Sequence, residues 1–146
     1  LRNYLADLAK QENFDQWTLE YKQAVNNDQD ELLREREWMY DLKTLAEMKA
    51  RMKTSSFWAD GWAIVQLEQH LGVKMIILNT EGTEVKCTMQ DAGWTPKTGY
   101  HIITRYSGNH YDLITHKNKG ALQSDEIPRE LKALYNTICK AGNKIQ

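Results

Sequence analysis

The sequence predicts an α+β fold, in which a small mixed or antiparallel sheet with one hairpin is flanked by helices and by a helical arm. Residues 1–54 contain neither proline nor glycine and are rich in residues of high helix propensity. By contrast, residues 100–106 and 110–116 are rich in aromatic and β-branched residues, which favour strands. The chain has the length of one ordinary domain. We therefore expect one domain, with a helical arm at 1–56 and a core at 57–146.

Three helices are expected in the arm. The first carries leucines at helical spacing, and the second is predicted to start at Asp15 and to end near Asn26. The third is predicted over residues 29–53, because its leucines and methionines recur at mixed helical spacings. Such an apolar stripe is typical of a packed helix with a solvated back, and the alternative is a helix that docks on a partner.

The core is predicted to begin with a helix followed by a strand. Asp60 is suited to cap a helix that runs to about His70. Gly72 is suited to the left-handed conformation that commonly ends a helix. Residues 73–78 are apolar and rich in β-branched side chains, as expected for a short buried strand.

A β-hairpin and a final helix complete the predicted core. A polar connection over 79–99, containing one weak strand, leads to the two strand-like runs, which a three-residue loop at 107–109 is expected to join. Pro128 is suited to a first helical turn, and the apolar residues after it recur at helical spacing until near Gly142.

Charge and hydropathy argue against two classes of partner. Lysine plus arginine number 19 and aspartate plus glutamate number 20, so no net field draws the chain to nucleic acid or to anionic lipid. No apolar run approaches the roughly 18 residues of a membrane span. We expect neither a nucleic acid nor a membrane as partner. Because the histidines show no metal-ligand spacing, we expect no metal or cofactor either.

The two cysteines are predicted to be free thiols in a reducing compartment such as the cytoplasm. Cys87 and Cys139 lie far apart in the sequence, and no signal segment accompanies them. Cys139 falls on the apolar face of the last predicted helix, where a buried structural thiol is favoured. Cys87 lies in a polar connection without the cationic or helix-start setting that activates a nucleophile, so a nucleophilic role is disfavoured.

His110 and Asp112 form a candidate catalytic pair. Side chains at i and i+2 of a strand project from the same face, so the two can interact. An imidazole can accept the proton of a cysteine or serine nucleophile, and a carboxylate beside it fixes the tautomer and stabilises the charged form. Taken alone, this spacing is more often that of a surface pair, so the pair by itself leaves catalysis open.

Several segments together resemble the OTU (ovarian tumour) cysteine proteases, most closely those of large DNA viruses. They follow the family's order, in which a tryptophan-bearing segment opens a helix, a strand follows, and a hairpin delivers the catalytic histidine in a His-Tyr-Asp context. The segments are 58–64 (WADGWAI), 67–68 (LE), 71–78 (LGVKMIIL), 100–103 (YHII), 108–114 (GNHYDLI) and 126–128 (EIP). The resemblance covers the core and reaches the helical arm only in character.

The resemblance implies a deubiquitinase, that is, a cysteine isopeptidase acting on ubiquitin or a ubiquitin-like conjugate. It implies that His110 is the general base and that Asp112 is the acid that orients it. Trp58 and Trp62 fall in the segment that flanks the substrate channel in such proteases, and Asn109 precedes the histidine in a loop that would shape the site. A place in the core for the tryptophans, and an ordinary turn role for Asn109, are the alternatives.

The family's nucleophile motif, an Asp-Gly-Asn/Asp-Cys run, does not occur in this sequence. In the family it lies upstream of the matching segments, and Leu1-Arg2 resembles the point just after the nucleophile helix. We therefore expect an additional N-terminal segment that carries the cysteine, and no activity without it. The alternative is a catalytically inactive OTU-like module that binds a partner or forms part of a larger assembly. A viral member would act in the host cytoplasm or in the virion.

Overall fold

Helices form the first part of the chain, and most of the second part is organised around a sheet. The computed structural model describes residues 1–57, 59–88, 95–107 and 110–139. The chain divides into two units, Leu1–Ala63 and Ile64–Gln146, which we call the N-terminal and the C-terminal unit. This architecture confirms the predicted α+β class.

The N-terminal unit is built from short helices. The described elements are α1 (Arg2–Leu8), α2 (Gln11–Asn26), α3 (Asp30–Arg36), a 3-10 helix (Glu37–Met39), α4 (Leu45–Met52) and the start of α5 (Gly61–Leu71). Helix α2 starts four residues before the predicted Asp15, because the Asn13 side chain accepts a hydrogen bond from the Lys10 N–H at 2.9 Å and so caps the earlier start.

The single helix predicted over 29–53 is wrong. The chain leaves the helical conformation after the 3-10 helix, where Asp41 adopts a left-handed φ of 58°. It re-enters at Thr44, whose side-chain oxygen accepts a hydrogen bond from the Glu47 N–H at 3.1 Å and caps α4. The buried residues of the apolar stripe are therefore Met39 in the 3-10 helix, Leu42 after it, and Met48 and Met52 in α4, whereas those of α3 are only half-buried.

A buried arginine ties the N-terminal unit together. Arg36 donates from Nη1 to the Asp60 carboxylate at 2.7 Å and from Nε to Glu20 at 2.5 Å, while its guanidinium carbon lies 5.3 Å from the centre of the Trp17 ring. The second oxygen of Asp60 accepts the Ala63 N–H at 2.9 Å and thereby caps α5, as predicted. These two ion pairs thus link α2, the end of α3 and the start of α5.

The described residues of the C-terminal unit form a five-stranded mixed sheet. Its strands are β1 (Lys74–Asn79), β2 (Lys86–Thr88), β3 (Tyr100–Ser107), β4 (His110–Leu113) and β5 (Ala121–Gln123). The order is β2-β1-β3-β4, with β1 parallel to β3 and the other pairs antiparallel, and β5 pairs with the part of β3 that β4 leaves uncovered. Gly72 precedes β1 with a φ of 68°, so its predicted left-handed role is confirmed.

The predicted hairpin is present, but its register differs from the one expected. Ser107 pairs with His110, so the connection is two residues long rather than three. Strand β4 also ends earlier than predicted, at Leu113. The short strand β5 was not predicted from the sequence, and its only buried side chain is that of Leu122.

Helix α6 (Arg129–Ile138) completes the described part of the unit. Its buried residue Tyr135 and Cys139, the residue directly after the helix, both belong to the apolar core. The core cluster consists of Ile76, Leu78, Ile103, Leu122, Ile127, Tyr135 and Cys139. Because β1 and β3 supply three of these side chains, the strands that carry the core are also those that position the hairpin.

Among the helices of the described residues, none combines the length and the apolar character that crossing a membrane requires.

Candidate functional site

His110 and Asp112 meet at the edge of the sheet. Both lie on β4, the last strand in the order β2-β1-β3-β4, and His110 Nε2 is 3.3 Å from Asp112 Oδ1. The side chains are 74% and 50% exposed, so the imidazole is accessible to a reacting group from outside the unit. The i, i+2 spacing on a strand therefore has the consequence expected of it, because both side chains lie on one face.

A third side chain, absent from the predicted site, contacts this pair. Arg105 on β3 is the direct cross-strand partner of Asp112, and directly opposed residues project from the same face. Arg105 Nη2 lies 3.4 Å from Asp112 Oδ2. The two oxygens of the carboxylate thus face two different partners, His110 and Arg105. We call these three residues the edge triad.

The contacts of the edge triad assign distinct tasks to the two ring nitrogens of His110. A carboxylate only accepts, so the 3.3 Å approach of Asp112 Oδ1 to Nε2 favours the tautomer in which Nε2 carries the proton. Nδ1 is then the nitrogen with a lone pair that can accept a proton. Such an imidazole can act as a general base toward a thiol brought to the outer side of β4.

Of the other predicted site residues, the structure describes Trp62. Trp62 belongs to the N-terminal unit, where its ring meets that of Trp17 edge to face at a centroid distance of 5.2 Å. The alternative of a packing role for Trp62 therefore has a direct contact in its favour. Trp58 and Asn109 lie outside the described residues, and their predicted roles stay predictions.

The prediction that both cysteines are free thiols is wrong. Cys87 on β2 and Cys139 after α6 form a disulfide with an S–S distance of 1.98 Å, and they are the only two cysteines of the chain. The long separation of 52 residues hid the pairing, since the sequence does not reveal that β2 and the end of α6 meet. In this form the chain offers no thiol to His110.

His101, a second histidine of the sheet, has a structural role. It is 9% exposed on β3, and its Nδ1 lies 3.3 Å from the Leu122 carbonyl oxygen of the neighbouring strand β5. Burial lowers the pKa of His101 below 6.5, and the nearby Lys74 adds to that effect. Its imidazole is therefore neutral and held inside the unit. Within the described part of the chain, no group of three or more histidine, cysteine, aspartate or glutamate side chains could hold a metal ion.

Comparisons with known proteins returned no match to a protein-family model, to a curated protein or to a solved structure.

Proposed function

We propose that this chain is the histidine-bearing part of an OTU-like cysteine isopeptidase that acts on ubiquitin or a ubiquitin-like conjugate. The observation that carries the proposal is the contact between His110 and Asp112 on the exposed edge strand of the sheet. It pairs an imidazole with a carboxylate at 3.3 Å, the combination that a base and its orienting acid use, and it occurs within segments that resemble the OTU proteases in order. The mixed sheet with its hairpin agrees with the α+β class expected of such a domain.

The nucleophile comes from polypeptide that is not part of these 146 residues, because both cysteines of the chain are bonded to each other. His110 Nδ1 takes the proton of the incoming thiol, and the thiolate attacks the isopeptide carbonyl carbon. As the tetrahedral intermediate collapses, the C–N bond breaks and His110 returns the proton to the departing lysine amine. Water, deprotonated by the same imidazole, then hydrolyses the thioester and restores the thiol.

The proposal is tested with ubiquitin that carries a thiol-reactive group at its C-terminus. We expect no labelling of this chain alone and labelling of the protein encoded by the complete reading frame. His110→Ala should reduce the labelling rate about 100-fold or more, because it removes the base, while Asp112→Asn should reduce it less. His116→Ala, which removes a half-buried histidine after β4, is the matched control and should label normally.

The result that would refute the proposal is labelling of the complete protein that His110→Ala leaves unchanged. Absence of labelling from the complete protein would favour the second candidate, a catalytically inactive OTU-like module. That candidate agrees with the disulfide, which leaves no free thiol among these 146 residues. Such a module would still bind ubiquitin or an assembly partner, and titration of the labelled chain with ubiquitin tests the first of these.

For localisation we propose the virion or the host cytoplasm. A disulfide persists in oxidising surroundings and is rare where thiols are kept reduced, so Cys87–Cys139 favours the virion of the two. Alkylation of free thiols at the moment of lysis, followed by mass spectrometry of both cysteines, decides between them. Blocked alkylation in virions and full alkylation in cytoplasmic protein would assign the oxidised form to the virion.

A further inference from the structure

We infer that Arg105 is a positioning residue of this site, which holds the Asp112 carboxylate in the orientation that aligns His110. The inference rests on the proposed function for its catalytic meaning, but the contact itself belongs to this chain. A carboxylate on a short side chain can rotate about its terminal bond. Here one oxygen faces Arg105 Nη2 at 3.4 Å, and the other faces His110 Nε2 at 3.3 Å.

The two strands differ in how firmly their backbones are held. Strand β3 is central, and Arg105 pairs with Leu78 of β1 on one side and with Asp112 of β4 on the other. Strand β4 is short and terminal, so its four residues have ladder partners in the described structure only on the β3 side. The Arg105 side chain on the central strand β3 therefore holds the Asp112 carboxylate on the terminal strand β4.

Arginine is suited to this task for two reasons. Its guanidinium stays charged at every working pH and only donates, so it cannot exchange roles with the histidine. Its hydrogen bond to Oδ2 leaves Oδ1 facing the imidazole, which favours a single rotamer of Asp112. The result is a chain of contacts in which Arg105 acts on the base through the carboxylate.

Because Arg105 is 54% exposed, two other roles are possible for it, and each predicts a result that differs from the result expected of a positioning residue. Arg105 could compete with His110 for the carboxylate, in which case its removal would raise activity. It could instead contact the conjugate directly, in which case its effect would not depend on Asp112. A double-mutant cycle separates these roles from positioning.

The experiment uses the protein of the complete reading frame and its hydrolysis of a ubiquitin conjugate. Arg105→Ala should lower kcat about fivefold with KM unchanged, the rate effect of ~1 kcal/mol for an exposed ion pair. Arg105→Lys should recover part of the loss, and in an Asp112→Asn background Arg105→Ala should have no further effect. Lys86→Ala, which removes an exposed cation from the opposite edge strand, is the control for loss of charge and should leave kcat unchanged.

A second readout needs no activity. In this chain, the ring ¹⁵N resonances of His110 should shift on Arg105→Ala and should not shift further on Arg105→Ala once Asp112 is Asn. Unshifted resonances in the single variant overturn the inference, as does a kinetic effect that persists without Asp112 or a gain in activity. If the resonances respond while His110→Ala has no effect on hydrolysis, the proposed function fails and the contact between the three side chains stands.

Discussion

Cys87 and Asp112 lie at opposite ends of one row that crosses the whole sheet. Cys87 pairs with Leu78, Leu78 with Arg105, and Arg105 with Asp112. Three strand spacings of about 4.8 Å separate the two backbones by roughly 14 Å. A thiol released at Cys87 is therefore too far away to share a proton with His110, which lies two residues from Asp112 on the same edge strand.

Reduction of the disulfide should consequently leave the chain without a peptidase nucleophile. We expect the reduced chain to show no reaction with the thiol-reactive ubiquitin. We also expect iodoacetamide to alkylate Cys87 at the same rate in the wild type and in His110→Ala, because a base at this distance cannot assist. Mass spectrometry of the Cys87 peptide measures that rate. A slower reaction in His110→Ala would show that the two side chains approach each other.

The disulfide should contribute strongly to stability. Closing a loop of 52 residues is worth about 4 kcal/mol in the chain-entropy model. Cys87→Ser should lower the free energy of unfolding of the C-terminal unit by an amount of that order, measured by urea denaturation. Substitution at Cys87 is preferred because Cys139 is buried in the core cluster.

Reducing agent provides the control for that measurement. Dithiothreitol should lower the stability of the wild type to the level of Cys87→Ser and leave the variant unchanged. Equal stability of the wild type with and without reducing agent would contradict the pairing.

The part of the candidate site that depends on the hairpin register could not be predicted, because the register expected from the sequence was wrong. The His110 and Asp112 pair depends on alternation along one strand, which the sequence reveals directly. Arg105 depends on the length of the connection between two strands. With a three-residue loop, Arg105 would lie opposite Tyr111, on the face of the sheet away from His110 and Asp112. The observed two-residue connection places Arg105 opposite Asp112 instead. A Gly-Asn pair between two strand-like runs is a known signal for the shorter loop.

The fold was predictable where a local signal existed and was correctly weighed. Asp60 as a cap and Gly72 as a left-handed residue follow from chemistry that acts within a few positions. The break before α4 also had a local signal, since Thr44 and Glu47 have the spacing of a capping box, but the apolar stripe outweighed it. The Cys87–Cys139 bond and strand β5 had none, because both depend on where distant elements meet.

Removal of Arg36 should destabilise the N-terminal unit severely. Its side chain is 8% exposed and neutralises Asp60, which is 5% exposed, as well as Glu20. Arg36→Met should cost about 3–5 kcal/mol, because it leaves a buried carboxylate without its counter-charge. Urea denaturation followed by tryptophan fluorescence suits this unit, since the Trp17 ring lies beside the guanidinium.

An exposed pair in the same unit provides the matched control for Arg36. Lys43 and Asp41 are 74% and 65% exposed with 3.3 Å between their charged atoms, so Lys43→Met should cost less than about 0.5 kcal/mol. If Arg36→Met were as mild as Lys43→Met, the buried network would have no energetic role.

His101 should make the C-terminal unit sensitive to acid. Burial, with Lys74 and Lys132 nearby, lowers the pKa of His101 in the folded state below 6.5. As the pH falls below about 6.5, the unfolded chain therefore takes up a proton that the folded chain does not. The free energy of unfolding should decrease by up to about 1.4 kcal/mol per pH unit, until the pH falls below the folded-state pKa.

A pH series of urea denaturation curves between pH 7.5 and pH 5.5, followed by circular dichroism, measures this loss. His101→Gln should flatten the curve, because an amide can still donate toward the Leu122 carbonyl but does not take up a proton in this range. His110→Gln is the matched control: it replaces a histidine that is 74% exposed in the folded state, so the loss caused by His101 should remain. If the pH dependence remained in His101→Gln and disappeared in His110→Gln, the group responsible for acid sensitivity would be in the edge triad and not His101.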